Sequence, residues 1–481
     1  MKELTRCDNR PLRILHAIHD FLPRHQAGSE IYACELGRAL AARHDVTVLC
    51  ADHDLSRRHG HVTWRVHEGL PVIEIVNNWA CASFEDTYRP PLIRDRIAHA
   101  LRAVQPDILH VHNLLNLSFD LPALARSHGI PVVATLHDYT LVCPSGGQRI
   151  HRAEHHLCDV IDTERCARCF PQSPVYAHVS LGRLAAATHA PGPIGRAAAT
   201  TARRLPGLAS LLGRAARRVA AVPLTRSDID ARLAAARRVF DEVDLFVAPS
   251  PSVAAEFQRL GLDAAKIRVS DYGFVPLVRP SQGTRGNGGT GQRAALRIGY
   301  VGTLVWHKGL HVLIDAVRGL SPTAYELKIF GDPNVFPEYT ADLRRRAAGL
   351  PVRFMGAFGR DRTANVYAEI DVLVVPSLWL ENSPLVIHEA FMAGIPVVAA
   401  RIGGIADLVE DGRTGLLYDP TSPADLEAVL RSLIEKPARV DELARHAPRV
   451  KSIVEDAREW EETYAAVLKG RDAISNRSVR L

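Results

Sequence analysis

Short apolar runs rich in Val, Ile and Leu alternate with amphipathic helical segments along this chain, in two series separated by the stretch 281–293, SQGTRGNGGTGQR. Runs of that kind suit strands buried on both faces of a parallel sheet, and their alternation with helices predicts a doubly wound α/β fold. The first series opens with a strand at Leu12–Ile18, a helix at Ser29–Arg43 and a strand at Val46–Cys50. Further strands are expected at Val72–Val76, Ile108–His112 and Val132–Leu136, with helices at Arg94–Val104 and Leu121–His128. The pattern breaks after Cys143 and returns at Val243–Ala248 and Ile267–Ser270. The second series places strands at Leu296–Val301, Glu326–Phe330, Val352–Met355, Asp371–Val375 and Pro396–Ala400. Helices are expected between them at Gly309–Val317, Tyr339–Ala348 and Arg362–Ala368, then at Pro423–Lys436 and finally at Ser452–Lys469. A chain of 481 residues exceeds what one core supports. The expected domains are 1–280, with an insertion at about 143–240, and 294–450, joined by a flexible linker at 281–293 and followed by a last segment at 451–481.

Apolar residues make up 47% and aromatic residues 6%, as in an ordinary α/β protein. Lys plus Arg exceed Asp plus Glu by 59 − 53 = 6, too mild an excess to indicate a partner. No run of about 18 apolar residues occurs, and the opening MKELTRCDNRPLRIL lacks the apolar core of a signal peptide, so a cytoplasmic location is expected. In that compartment clustered cysteines suggest metal before disulfide. Cys143, Cys158, Cys166 and Cys169, with His151, His155 and His156 among them, fit a closed four-ligand zinc site. An iron–sulfur or redox role and unligated thiols stay open. Arginines 183, 196, 203, 204, 214, 217 and 218 stand among Ala and Leu. They suit either an anionic membrane surface, at the inner face of the cell membrane, or a solvated helical face.

Residues Asp371–Ala400, DVLVVPSLWLENSPLVIHEAFMAGIPVVAA, place Glu381 and Glu389 around a helix start. Ser383 is the expected N-cap and Pro384 the first helical residue. The free amides near Leu385 and Val386 then face the mouth of the sheet, where a helix N-terminus attracts phosphate. Gly302 ends a strand and permits close approach of a ligand to backbone, and Lys308 in the following loop offers a positive charge. Gly28 follows the first strand, and His137 stands just past Val132–Leu136. His110 and His112 end another strand, one expected to point toward the cleft and the other away.

The spacing of Glu381 and Glu389, followed by Ala390, Ala393-Gly394, Pro396-Val397 and Gly403-Gly404, resembles the signature of retaining glycosyltransferases of family 4. The resemblance spans nearly the whole chain except 143–240. It implies two Rossmann-like domains facing a cleft, the GT-B architecture, with a cysteine-containing helical insertion in the first and a last helix that crosses back onto it. It implies a nucleoside-diphosphate sugar as donor and a glycan, lipid-linked or small-molecule acceptor. Glu389 would hold the ribose hydroxyls, the amides of Leu385 and Val386 with Lys308 the diphosphate, and Glu381 a position beside the transferred hexose. His137 would lie at the cleft and Gly28 near the leaving phosphate. Two positions depart from the pattern: Thr303 stands where the family usually has an arginine, and Gly28 is preceded by Ala27 in place of a second glycine.

No Asp-x-Asp stands in a loop after a strand; Asp228-Ile-Asp230 lies in the Arg-rich helical region and reads as surface charge. Donor chemistry without a metal is therefore expected. Gly286-Asn-Gly288-Gly-Thr-Gly291 matches a dinucleotide fingerprint but lies in the linker, before a strand. A sugar-nucleotide epimerase on the same scaffold is the nearest rival among enzymes. A zinc-containing nucleic-acid binder is the rival outside them, and it lacks the interleaved aromatic residues that base stacking requires. No nucleic-acid partner is expected.

Overall fold

The computed structural model describes residues 10–152, 154–187, 224–277 and 295–478. The stretch 281–293 and the arginines from 196 to 218 lie outside the described residues. The chain divides into two compact units, one of Met1–Pro249, Ala254–Gly273 and Ile453–Leu481, the other of Ser250–Val253 and Phe274–Ser452.

The first unit is built on β1 (Arg13–Ile18), β2 (Asp45–Asp52), β3 (Val62–His67), β4 (Leu70–Val76), β5 (Ile108–Val111) and β6 (Val132–Thr135). β7 (Ile150–His151) and β8 (His156–Leu157) form a separate hairpin, and β9 (Leu245–Ala248) and β10 (Ile267–Val269) complete the main sheet. Its order is β10-β9-β6-β5-β1-β2-β4-β3, parallel throughout except for β3. The order reverses between β1 and β5, so the loops after β1, β5 and β6 gather at the carboxyl edge of the sheet. β3 was not expected. It is an edge strand with Trp64 and Val66 exposed, joined to β4 through Glu68 (φ 48°) and Gly69 (φ 85°), and so lacks the continuous apolar run that marks the inner strands.

Beyond β6 the insertion is helical around the small hairpin, with helices at Thr163–Cys169, Pro174–Ala187 and Arg226–Glu242. Thr225 and Asp228 form a capping box on the last of these, and Asp230 pairs with Arg226 on an exposed face, so the Asp-x-Asp pair is helix capping and surface charge. Arg183, the one cluster arginine described, donates to the carbonyl of Ala82 at 3.4 Å.

The helix Ile453–Ser478 belongs to the first unit and packs on the helix Gly28–Leu40. Trp460 Nε1 donates to Tyr32 Oη at 3.0 Å, and Tyr32 Oη donates to Asp456 Oδ2 at 2.8 Å. Tyr464 Oη bonds His110 Nδ1 at 2.8 Å.

The second unit holds β11 (Leu296–Val301), β12 (Tyr325–Phe330), β13 (Val352–Gly356), β14 (Val372–Val375), β15 (Val397–Ala400) and β16 (Gly415–Tyr418). They form an all-parallel sheet of order β13-β12-β11-β14-β15-β16. The reversal falls between β11 and β14, which sets the loop carrying Gly302 and Lys308 beside the loop carrying Glu381. Among the described residues no helix is long and apolar enough to cross a membrane.

Trp460 is 4% exposed. Trp460→Ala is expected to destabilise the first unit by ~3–5 kcal/mol through the cavity it leaves. Tyr464→Phe should cost ~1–3 kcal/mol by stripping a buried imidazole of its partner. Chemical denaturation of each variant checks both values.

Candidate functional site

In the second unit the helix after β14 runs Leu385–Met392, with Pro384 as its extended N-cap residue (φ −64°, ψ 121°). It begins one residue later than the sequence suggests, and Ser383 is not the cap. Its hydroxyl bonds His388 Nε2 at 2.8 Å, and the His388 ring stacks on Phe274 at 4.6 Å. The amides of Leu385 and Val386 precede the first intrahelical bond and stand half-buried at the helix start.

Glu381 is 4% exposed in the loop between. Lys308 Nζ and Ser377 Oγ both donate to its Oε1 at 2.6 Å. The Lys308 ammonium also lies 5.3 Å from the centre of the Trp379 ring. Glycine is required around this pair. A Cβ on Gly309 (φ 71°) would fall 1.7 Å from the carbonyl oxygen of Pro376. On Gly403 (φ 52°) it would fall 2.7 Å from the oxygen of Glu381, and on Gly404 1.6 Å from that of Asn382. The amide of Gly404 donates to the carbonyl of Glu381 at 2.7 Å. Gly302 (φ 151°) follows β11, and its oxygen lies 2.3 Å from where a Cβ on Gly331 would stand. Thr303 is exposed, its carbonyl accepting from the buried Tyr300 hydroxyl at 2.8 Å. About one turn into the helix, Glu389 Oε2 accepts from Tyr367 Oη at 2.9 Å, and that hydroxyl also lies 3.0 Å from the carbonyl of Val386. Tyr367 therefore ties the Glu389 carboxylate to the helix start.

At the carboxyl edge of the first sheet, Gly28 is half-buried at the first position of its helix, with Ala27 as N-cap. His110 and His112 do not point to opposite sides. Residues two apart in a strand share a face, and their rings stack at 4.1 Å. A chain of imidazoles results: His16 Nδ1 lies 3.3 Å from His112 Nε2, His112 Nδ1 3.0 Å from His137 Nε2, and His137 Nδ1 2.9 Å from Tyr272 Oη. Each neutral ring has one N–H and one bare nitrogen, so the bonds run in one sense along the row. Both ring nitrogens of His137 are engaged. Burial lowers His16 to about 4 and His137 to about 3, and drives His110 and His112 well below their ordinary value.

Sequence reasoning missed two features of this edge. His19, just past β1, lies 3.2 Å from Glu30 of the first helix turn. Burial opposes its charge, but Glu30, Asp20 and Asp138 outweigh that and raise its pKa. Arg24, Arg57 and Arg65 converge on Asp52 and Glu74 at the ends of β2 and β4, with Arg24–Glu74 at 2.5 Å, Arg57–Glu74 at 3.0 Å and Arg65–Glu74 at 3.1 Å. Burial opposes ionisation of Glu74, and the three guanidinium groups overcome it. No local pattern marks residues so far apart in sequence.

The cysteine cluster lies in the first unit. Cys143 follows the His137 loop, Cys158 follows β8, and Cys166 and Cys169 share the helix Thr163–Cys169. Burial first, and then the neighbouring cysteines, push the Cys158 thiol up to about 11 and that of Cys166 to about 12. Two sets of three donor atoms among the described residues lie within 4.8 Å of one another, His16–His110–His112 and His151–Glu154–His156. Sulfur belongs to neither.

A profile described as glycosyl transferases group 1 matches residues 295–436, and one described as glycosyltransferase family 4 matches residues 27–180. A sulfoquinovosyl transferase of Arabidopsis thaliana is 33% identical over 200 residues, 40% of this chain and 38% of that protein. A D-inositol 3-phosphate glycosyltransferase of Catenulispora acidiphila is 31% identical over 232 residues, 45% of this chain and 54% of that one. The chain thus spans about a third to a half of the length of these curated relatives. The Anabaena protein HepE, solved in complex with UDP and glucose, superposes with a TM-score of 0.59 over 94% of this chain and 99% of its own, at 17% identity, a likeness of fold. The chain belongs to the glycosyltransferases of the GT-B fold. In this glycosyltransferase the group 1 match contains Gly302, Lys308, Glu381 and Glu389, and the family 4 match contains Gly28, His137 and all four clustered cysteines.

The imidazole row makes the first unit acid-sensitive. Unfolded, these histidines titrate near the ordinary 6.5, and folded they stay neutral to far lower pH. The unfolded chain therefore binds more protons below pH ~6.5, and each such group removes up to ~1.4 kcal/mol of stability per pH unit until its folded pKa is reached. The melting temperature should fall steadily from pH 7 toward pH 4 in a thermal-unfolding series.

Proposed function

We propose that this glycosyltransferase is a retaining enzyme that moves a hexosyl group from a nucleoside-diphosphate sugar to a glycan or lipid-linked acceptor. The observation that carries the reading is the Lys308–Glu381 pair, held at 2.6 Å between the β11 and β14 loops beside the open start of the Leu385–Met392 helix. Breaking the bond from the anomeric carbon to the diphosphate places negative charge on the departing oxygen. Fixed donors aimed at that charge supply the largest catalytic contribution. The amides of Leu385 and Val386, with the helix dipole behind them, and the Lys308 ammonium are such donors. Lys308 would then exchange part of its bond to Glu381 for the diphosphate, leaving Glu381 to position the sugar. Glu389, fixed by Tyr367, would take the ribose hydroxyls.

In this scheme the cationic and amide donors do the work that a divalent ion performs in other enzymes, and no step needs a metal. Retention is accounted for by attack on the face from which the diphosphate departs, the phosphate itself receiving the acceptor proton. His137, locked between His112 and Tyr272, serves as a wall of the acceptor side and not as a proton carrier. The names of the inositol-phosphate and sulfoquinovosyl relatives, and the UDP and glucose in the HepE structure, support an activated sugar as donor.

Screening UDP-, GDP- and ADP-sugars for thermal stabilisation should find one that raises the melting temperature by mass action. Glu389→Ala should weaken that ligand by roughly 10- to 100-fold in calorimetry, the worth of about 1.5–3 kcal/mol for hydrogen bonds to a charged group. Unchanged affinity rejects the ribose role. Turnover should survive brief EDTA treatment; immediate loss that magnesium restores contradicts the metal-free scheme.

A further inference from the structure

Lys308 ends a single turn of 3-10 helix, Trp306–Lys308, and Gly309 (φ 71°) then turns the chain into the helix Leu310–Val317. Its side chain is 30% exposed. The loop after β14 sets Trp379 against it, 9% exposed, with the centre of the indole 5.3 Å from Lys308 Nζ. Backbone holds the two side chains together. The amide of Leu378 donates to the carbonyl of His307 at 2.8 Å, so the residues just before Trp379 and Lys308 are bonded to each other. The His307 ring meets the indole at 78°, with ring centres 5.8 Å apart. The amide of Glu381 donates to the carbonyl of Trp379 at 2.8 Å, which ties the glutamate to the same turn.

This indole is placed by its face and not by its edge. A buried indole ordinarily pairs its N–H, yet Trp379 Nε1 is buried with no hydrogen-bond partner among the described residues. Leaving a buried donor unmet is costly, so another contact fixes the ring. The ammonium near its centre is such a contact, since the negative face of an aromatic ring attracts a cation. An ammonium has three hydrogens. One goes to Glu381 Oε1 at 2.6 Å, the one hydrogen bond that Nζ makes among the described residues, and the indole occupies a second side of the group. A second carboxylate at position 379 would hold Lys308 equally well but would cancel its charge. A ring carries a quadrupole and no net charge, so the lysine stays cationic toward a ligand.

We propose that Trp379 is a positioning residue for Lys308: the indole face and Glu381 are two fixed supports of the ammonium, and its remaining hydrogen is kept for the diphosphate of a bound sugar nucleotide. The inference rests on the transferase reading and deepens it. Trp379 keeps the ammonium in place while the bond to Glu381 loosens toward the diphosphate. Its contribution therefore depends on the charge at position 308 and on the diphosphate of the ligand, and not on base or ribose.

Calorimetric titration of the full chain with UDP, GDP and ADP identifies a diphosphate that binds, and the matching nucleoside, followed by ligand-observed NMR, is the control. Trp379→Leu should weaken the diphosphate by about 3- to 30-fold, and Trp379→Phe, which keeps a weaker ring face, by less. Neither should change the affinity for the nucleoside. In a Lys308→Met background, Trp379→Leu should bring no further loss. Equal losses for nucleoside and diphosphate, or an undiminished loss in the Lys308→Met background, overturn the proposal. Where Trp379→Leu does not fold, Trp379→Phe with and without Lys308→Met decides by the same criteria. A diphosphate that binds the wild type and Trp379→Leu alike overturns the role of Trp379 alone. Failure of all three diphosphates to bind the wild type overturns the transferase reading together with it.

Discussion

Bare backbone at the carboxyl edge of the second sheet is the constraint on which the candidate site depends. Gly309 lies against Pro376, Gly403 against Glu381 and Gly404 against Asn382, each closer than a methyl group permits. These contacts press the loops after β11, β14 and β15 together, and only then can a lysine from one loop meet a glutamate from another. A side chain at any of them would clash with the facing backbone and push the loops apart. The glycines are thus the geometry of the site, and the charged residues are what the geometry brings into register.

The first unit solves the same topological problem with different chemistry. Its carboxyl edge is filled by imidazoles, phenols and paired charges, and it satisfies them internally: His110 through Tyr464 and Thr135, His112 through His16 and His137, Glu74 through three arginines. Such a network is worth its desolvation only when nearly every member is bonded. That accounts for its dense packing against the Ile453–Ser478 helix, which delivers Asp456, Trp460 and Tyr464 into it.

Most strands could be read directly because burial on both faces leaves continuous Val- and Ile-rich runs, as in Val372–Val375 and Val397–Ala400. β3 escaped because an edge strand with one solvated face has no such run, and the two-residue strands of the β7–β8 hairpin are too short to show a period. The helix start at Leu385 was displaced by one residue because a serine before a proline looks like a cap, while Ser383 has a better partner in His388. The shared face of His110 and His112 was available from strand periodicity alone. The convergence of Arg24, Arg57 and Arg65 was not, since their carboxylates lie on strands that only the folded sheet brings near.

The return of Ile453–Ser478 to the first unit has a consequence for biosynthesis. Tyr32 and His110 find Asp456 and Tyr464 across 424 and 354 residues of chain, after the whole second unit has been translated. During synthesis Tyr32 and His110 therefore lack these partners until the last helix has emerged. The first unit is thus completed only at the end of synthesis, and until then the face that will receive the last helix is without its cover.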